Sequence, residues 1–300
     1  MCRNRSRAVG ALLAVLMLVA SACGNPLKGG AGGGSDGEIV IGSSSVGESV
    51  LLAHLYAGAL RAAGADNVRV RPPVGGREIV VKALRDGSIT LVPEYSGNLL
   101  RFFAEDSTAT KSKEVYAALR SALPARFRVL EPAPAQDTDV LVIRPELAAK
   151  GISTVSELAP YCDQLVFGGP GQWAERWKAK IKRLYGCEFK RITVTDVGGP
   201  VTVQALRSGE IDVADLFSTS STIESNGFVP LKDDKNMFPA QNIIPLVAEG
   251  TLTAEQVHAL NELSAKLTTE KLTQLNVAYQ EEKRNPIDIA EDFLRTNGLT

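Results

Sequence analysis

Histidine is scarce in this chain, with two in 300 residues, His54 and His258. Each stands alone on a helix-like stretch, without the partners that acid–base or metal chemistry needs. There is no nucleophile elbow, no phosphate-binding loop and no zinc-spaced motif. Asp212 and Asp215 lie three apart, but such a pair in a surface turn reads as solvated. Charge of one sign is also lacking: 33 Lys and Arg face 34 Asp and Glu, for a net −1. With no basic patch interleaved with aromatics, nucleic acid is excluded as a partner. No run after residue 22 is long and apolar enough to span a bilayer. These absences point to a binding protein without a cofactor or metal, rather than to an enzyme.

Cysteine is nearly as sparse, at four. Arg3, Arg5 and Arg7 precede an apolar core, Ala8–Ala20, too short to cross a membrane, and Ala20-Ser21-Ala22 are small. Residues 1–22 therefore read as a targeting segment. Cys23 follows directly, an arrangement that resembles a bacterial lipoprotein signal, in which the cysteine becomes the lipidated first residue. Ala20 stands where that pattern prefers leucine, and an ordinary signal peptide with a nearby cut is the alternative. Residues 23–37, rich in Gly and Ser, read as a flexible tether. Cys2 leaves with the signal, so the exported chain keeps Cys162 and Cys187. An oxidising compartment makes a disulfide between them the natural expectation, with two buried thiols as the alternative.

What is present is an internal repeat. VGGREIVVKALRDGSITLVPEYS (Val74–Ser96) is echoed by VGGPVTVQALRSGEIDVADLFS (Val197–Ser218). At an offset of 122, Ala83, Leu84, Arg85, Gly87, Ile89 and Ser96 meet identical residues, and Tyr95 meets Phe217. Six identities in fourteen positions exceed the roughly one expected from average usage. Each copy reads as a short amphipathic helix, a glycine stop at Gly87 or Gly209, and a buried strand over Ile89–Val92 or Ile211–Ala214. Ligands of open α/β sheets bind outside the carboxyl ends of strands, which is where the aromatic–serine pair falls. Two similar lobes facing each other would aim Tyr95 and Phe217 into one cleft; core packing is the alternative for both rings.

Elsewhere the pattern alternates strands and helices. Ile39–Ile41 reads as a strand and Glu48–Ala63 as an amphipathic helix presenting Val50, Leu51, His54, Leu55 and Gly58 on one face. Its acidic start suits the positive helix end, and the serines before it would cap the helix or bind a ligand oxygen. Thr154 with Glu157, and Thr253 with Gln256, form capping boxes. Trp173 and Trp177 lie four apart on one helical face after Gly168-Gly169-Pro170-Gly171. Trp173, in the first turn, is placed beside the cleft, and Trp177 in packing. Leu141–Ile143 and Asn242–Pro245 carry the chain into the second lobe and back, which places 38–139 plus 242–300 in one lobe and 140–241 in the other.

The segments IVIGSSSVGES, VPEYSGNLL, LVFGGPGQW, VADLFSTS, LKDDKNMFPAQN and KLTTEKLTQLN resemble, in order from Glu38 to Leu299, the osmoprotectant-binding proteins of ABC importers. These take up glycine betaine, choline or carnitine. The resemblance implies an α/β, two-lobe type II periplasmic-binding-protein fold with two crossing hinge strands, closing on a small solute. It also implies ABC permease subunits as partners and a monomer on the extracytoplasmic face of the cell membrane. In that family a quaternary ammonium sits in an aromatic cage. The matching positions here are Tyr95, Phe217 and, most nearly, Trp173. Ser44, Ser45, Gly76, Arg77, Ser96, Ser218 and Thr219 supply polar contacts. Asp139 replaces the aromatic usual at the first crossing. A cage with fewer rings leaves a hydroxylated or phenolic solute as a second ligand class, and a ligand sensor of the same fold as a second role.

Overall fold

The computed structural model describes residues 37–44, 47–73 and 75–300. The expected targeting segment, Cys23, nearly all of the tether, Ser45 and Val74 lie outside the described residues.

Among the described residues the strands form two five-stranded sheets of the same pattern. The first begins with β1 (Ile39–Ile41), α1 (Gly47–Ala62), β2 (Val68–Val70), α2 (Arg77–Arg85), β3 (Leu91–Tyr95), α3 (Ser96–Phe103), α4 (Ser112–Ala122) and β4 (Phe127–Val129). The chain then enters the second sheet through β5 (Asp139–Ile143). The short helices α5 (Pro145–Ala148) and α6 (Val155–Leu158) lead to β6 (Val166–Gly169), α7 (Gly171–Tyr185), β7 (Arg191–Val194), α8 (Pro200–Ser208), β8 (Val213–Phe217), α9 (Ser221–Ser225) and β9 (Val229–Pro230). It returns to the first sheet as β10 (Ile243–Ala248), and α10 (Ala254–Lys266), α11 (Thr269–Asn276) and α12 (Pro286–Thr296) close the chain.

The orders are β2-β1-β3-β10-β4 and β7-β6-β8-β5-β9. In each sheet three parallel strands are followed by one antiparallel strand, and that strand is the one just arrived from the other sheet. The two connections zip together midway: Gln136 bridges Asn242, Asp137 N donates to Gln241 O and Ala133 N to Ile243 O. Successive residues feed opposite faces of each sheet, as the period of two requires. Ile39, Ile41, Leu91 and Ile243 enter one core cluster, and Val40, Val92 and Ile244 another. The second sheet divides Leu141 and Val213 from Val142 and Ala214 in the same way.

The repeat is visible in three dimensions. Gly87 and Gly209 adopt φ of 80° and 81°, the left-handed conformation that lets a helix stop at once. Ile89 and Ile211 press on Gly42 and Gly168, where a Cβ would come within 2.6 and 2.4 Å of an isoleucine Cδ1. The identities at Gly87/Gly209 and Ile89/Ile211 thus mark a turn and a close approach. The strands sit about two residues later than the sequence predicts, because antiparallel pairing with the crossing strand runs to Tyr95 and Phe217.

The capping boxes at Thr154 and Thr253 form as expected. Helix α1 departs from its expected single face. Leu51, Leu52, Leu55, Tyr56 and Leu60 are all buried, while Val50, His54 and Gly58 are only half-buried. Packed by the first sheet, α10 and α12 together, it is buried well beyond one stripe. Cys162 and Cys187, both buried, are joined by a disulfide with Cα atoms 5.4 Å apart and a sequence separation of 25. A loop of this size contributes about 3 kcal/mol in the chain-entropy account. No helix among the described residues is long and apolar enough to cross a membrane.

Candidate ligand-binding site

A cavity of about 640 Å³ opens where the two sheets meet. Tyr95 and Phe217, the last residues of β3 and β8, both line it. They occupy equivalent registers, Tyr95 opposite Ile243 and Phe217 opposite Asp139, each the first residue of a crossing strand. Ser44, Gly76, Arg77 and Thr219 also line the cavity.

Four of the expected contacts are corrected. Trp173 is 1% exposed, its ring centroid 4.0 Å from that of Phe167 and 6.3 Å from that of Phe189. The helix α7 turns this residue under the sheet instead of toward the cavity, because that face also carries Trp177, Ile181 and Tyr185 into the same core. Ser96 and Ser218, the repeated serines, are hinge staples. Ser96 Oγ donates to Ala240 O and accepts from Asn242 N, holding the return crossing. Ser218 Oγ donates to Gln136 O and accepts from Thr138 N, holding the outward one. Each serine meets its own crossing because that strand is the neighbour of β3 or β8.

Asp139 is the fourth. It lies outside the cavity lining, and burial pushes its carboxyl up to about 6, against the pull of the Arg176 and Arg101 charges. Asp215, expected to be solvated, is 5% exposed, and burial followed by the Asp139 charge holds it well above the usual range. The sign of the Asp139 effect follows from its raised value. The unfolded chain ionises near 3.8 while the fold retains the proton to about 6, so stability falls as pH rises across that window. Asp139→Asn is expected to gain about 3 kcal/mol near pH 7, roughly two pH units at 1.36 kcal/mol each, and to gain nothing below about pH 4. Urea unfolding at both pH values checks this; an equal effect at the two would rule out the titration.

The residues that sequence reasoning missed are acids and amides. Glu48, 3% exposed, accepts from Tyr95 OH at 2.8 Å, Thr219 Oγ1 at 3.0 Å and Asn276 Nδ2 at 2.7 Å. It therefore ties together α1, both repeat copies and the closing helix α11. Tyr95 OH is held well above its ordinary value, first by burial and then by the Glu48 charge. Asp137, on the outward crossing, lies 2.7 Å from Thr219 Oγ1. Arg77, from the first turn of α2, meets Glu94 through two donors, Nε at 3.0 Å and Nη2 at 2.8 Å. Asn276 and Gln280 come from the C-terminal helices, far from either repeat, and no local pattern marks them. Glu94 precedes Tyr95, and Glu48 sits in a segment already aligned with the family, so alternation of strand faces was the one signal available.

The lining thus has two ring faces, the carboxyls of Glu48, Glu94 and Asp137, and one guanidinium, Arg77, already paired. Such a surface favours a small solute with positive charge and apolar faces.

A family model described as the substrate binding domain of an ABC-type glycine betaine transport system matches residues 37–296. The carnitine transport binding protein OpuCC of Listeria monocytogenes is 26% identical over 301 residues, spanning 96% of this chain and 96% of its own length. The glycine betaine-binding protein YehZ of Escherichia coli is 23% identical over 279 residues, spanning 87% of this chain and 91% of its own. The crystal structure of a glycine betaine/carnitine/choline ABC transporter protein superposes with a TM-score of 0.80 at 22% identity, over 87% of this chain and 99% of that one. The two mixed sheets with flanking helices and two crossings are the type II periplasmic-binding-protein fold. These relatives are transport proteins rather than enzymes. This chain belongs to the family of substrate-binding domains of ABC-type glycine betaine transport systems.

Proposed function

We propose that the protein binds a small quaternary ammonium solute between its two sheets and delivers it to the permease subunits of an ABC importer. The observation that carries this reading is the charge of the cavity: three carboxyls and one arginine line it together with the rings of Tyr95 and Phe217. Glycine betaine and carnitine, named in the relatives, both carry a trimethylammonium group, which pairs with ring faces and carboxylates. The zipped crossings at Gln136 and Asn242 serve as the hinge, with lobes 38–139 plus 242–300 and 140–241 closing about it. Cys23 anchors the chain through lipid after removal of 1–22, on the extracytoplasmic face, as the small residues before it suggest.

A hydroxylated or phenolic solute is the second reading. It is favoured by the two-ring lining and by the hydroxyl and amide groups of Ser44, Asn98, Ser220 and Gln280 around it. A thermal-shift screen over choline, glycine betaine, carnitine, sugars and phenols separates the two. A true ligand at 100 times its Kd stabilises by about 2.7 kcal/mol. Phe217→Ala should then weaken a quaternary ammonium by about 0.5–2 kcal/mol through lost cation–π contact. Stabilisation by phenols alone overturns the first reading. Fractionation of cells carrying Cys23→Ala checks the anchor, since a processed variant that stays on the membrane is incompatible with it.

A further inference from the structure

Thr219 has one hydroxyl proton and two carboxyls within reach of it. Its Oγ1 lies 3.0 Å from Glu48 Oε2 and 2.7 Å from Asp137 Oδ1. A threonine hydroxyl donates once. The other contact is a hydrogen bond only if that carboxyl carries a proton and donates to Thr219. Otherwise two oxygen lone pairs face each other at bonding distance. Asn276, 2% exposed, stands beside them: its Nδ2 donates to Glu48 Oε2 at 2.7 Å, while its Oδ1 has no hydrogen-bond partner.

We propose that the unliganded cleft holds one proton on the Glu48–Thr219–Asp137 chain, and that a cationic solute expels it to solvent, so that this acid pair selects solutes by charge. The inference deepens the quaternary ammonium reading and rests on it for the identity of the ligand. The charge balance closes, since one positive charge enters as one proton leaves.

Among the described residues lining the cavity, no free cation stands beside the pair, and Arg176 and Arg101 act on Asp139. Arg77, the cation lining the cavity among the described residues, is held by Glu94 through two hydrogen bonds. Tyr95 donates its hydroxyl to Glu48 and contributes no charge. Asp139, on the same crossing, adds a like charge to Asp137. Burial first, and then the Glu48 charge, hold Asp137 well above the usual carboxylate range, while its contacts with Thr219 act in the opposite direction. A cation placed between the rings favours the doubly ionised pair, and the proton leaves. While Asp137 keeps its proton, affinity for a cation should rise with pH by up to about tenfold per unit, and it should flatten once that proton is lost. A neutral solute should release no proton.

The test is titration calorimetry of choline near neutral pH in buffers of different ionisation enthalpy, which reads protons released per ligand bound. Wild type is expected to release close to one proton and Asp137→Asn none. The asparagine at 137 keeps a donor for Thr219, so a merely structural role would leave the proton count unmoved. Binding with no release in wild type, or equal release in wild type and Asp137→Asn, overturns the proposal. Infrared spectra of the unliganded proteins give a second readout that needs no ligand. Because Asp215 also carries a raised carboxyl, the readout is the difference: the protonated-carboxyl carbonyl band should be stronger in wild type than in Asp137→Asn by about one group. Should choline fail to bind, the quaternary ammonium reading and the charge selection fall together. Equal band intensity in wild type and Asp137→Asn removes the shared proton itself, whatever the solute.

Discussion

Arg77→Ala is expected to cost about 3–5 kcal/mol of folding stability, because it strands a buried charge. The Glu94 side chain is 5% exposed, and its partner Arg77 is 24% exposed. Two guanidinium donors, Nε and Nη2, satisfy the carboxylate, and among the described residues the further donor to it is the neighbouring Tyr95 N at 3.1 Å. Removing the arginine leaves the desolvation of Glu94 uncompensated, and that penalty exceeds the net worth of the pair. The double variant Arg77→Ala/Glu94→Gln should therefore recover most of the loss, since an amide at 94 carries no charge. Urea unfolding of the two variants beside wild type measures both numbers. A single-variant cost under about 1 kcal/mol would place the pair with solvent-screened surface bridges, and would mean that Glu94 meets water freely.

Trp173→Ala is expected to lose about 3–5 kcal/mol, the usual cost of emptying a large aromatic site in a core. The indole is 1% exposed and packs, tilted, against Phe167 and Phe189 beneath the second sheet. Trp173→Phe keeps most of the volume, should cost much less, and should bind solute with wild-type affinity. A cage wall would behave in the opposite way, with little effect on unfolding and a large loss of affinity. Chemical denaturation and titration calorimetry on the same pair of variants separate these outcomes.

The two tryptophans show why part of the site was illegible. Four-residue spacing correctly puts Trp173 and Trp177 on one face of α7, but it does not say whether that face meets the cavity or the sheet. The choice depends on how α7 rolls against β6 and the 186–189 segment, a contact between parts of the chain that the spacing does not relate. The repeated serines show the same limit. Their recurrence announced a role shared by both halves, yet Ser96 and Ser218 at the strand ends equally suit binding a ligand or pinning a crossing. Pairing of β10 with β3 and of β5 with β8 decides for the crossing.

By itself the sequence determined the two-lobed architecture, since the repeat at an offset of 122 recurs as two sheets of one pattern. It determined the turns, because Gly87 and Gly209 take a backbone conformation that side chains disfavour. It also placed Tyr95 and Phe217 at the ends of their strands, since alternation and the repeat are local signals written in consecutive residues. Only the tertiary structure decided the charge of the cavity. Glu48, Asp137, Thr219 and Asn276 come from four separate stretches, spanning 228 residues between Glu48 and Asn276. Each alone is an ordinary polar residue, with a helix start, a connector, a loop or a helix end as sufficient reason for it. Their hydrogen bonds exist only after both crossings have brought the sheets together, because side chains so distant in sequence share an environment through packing alone.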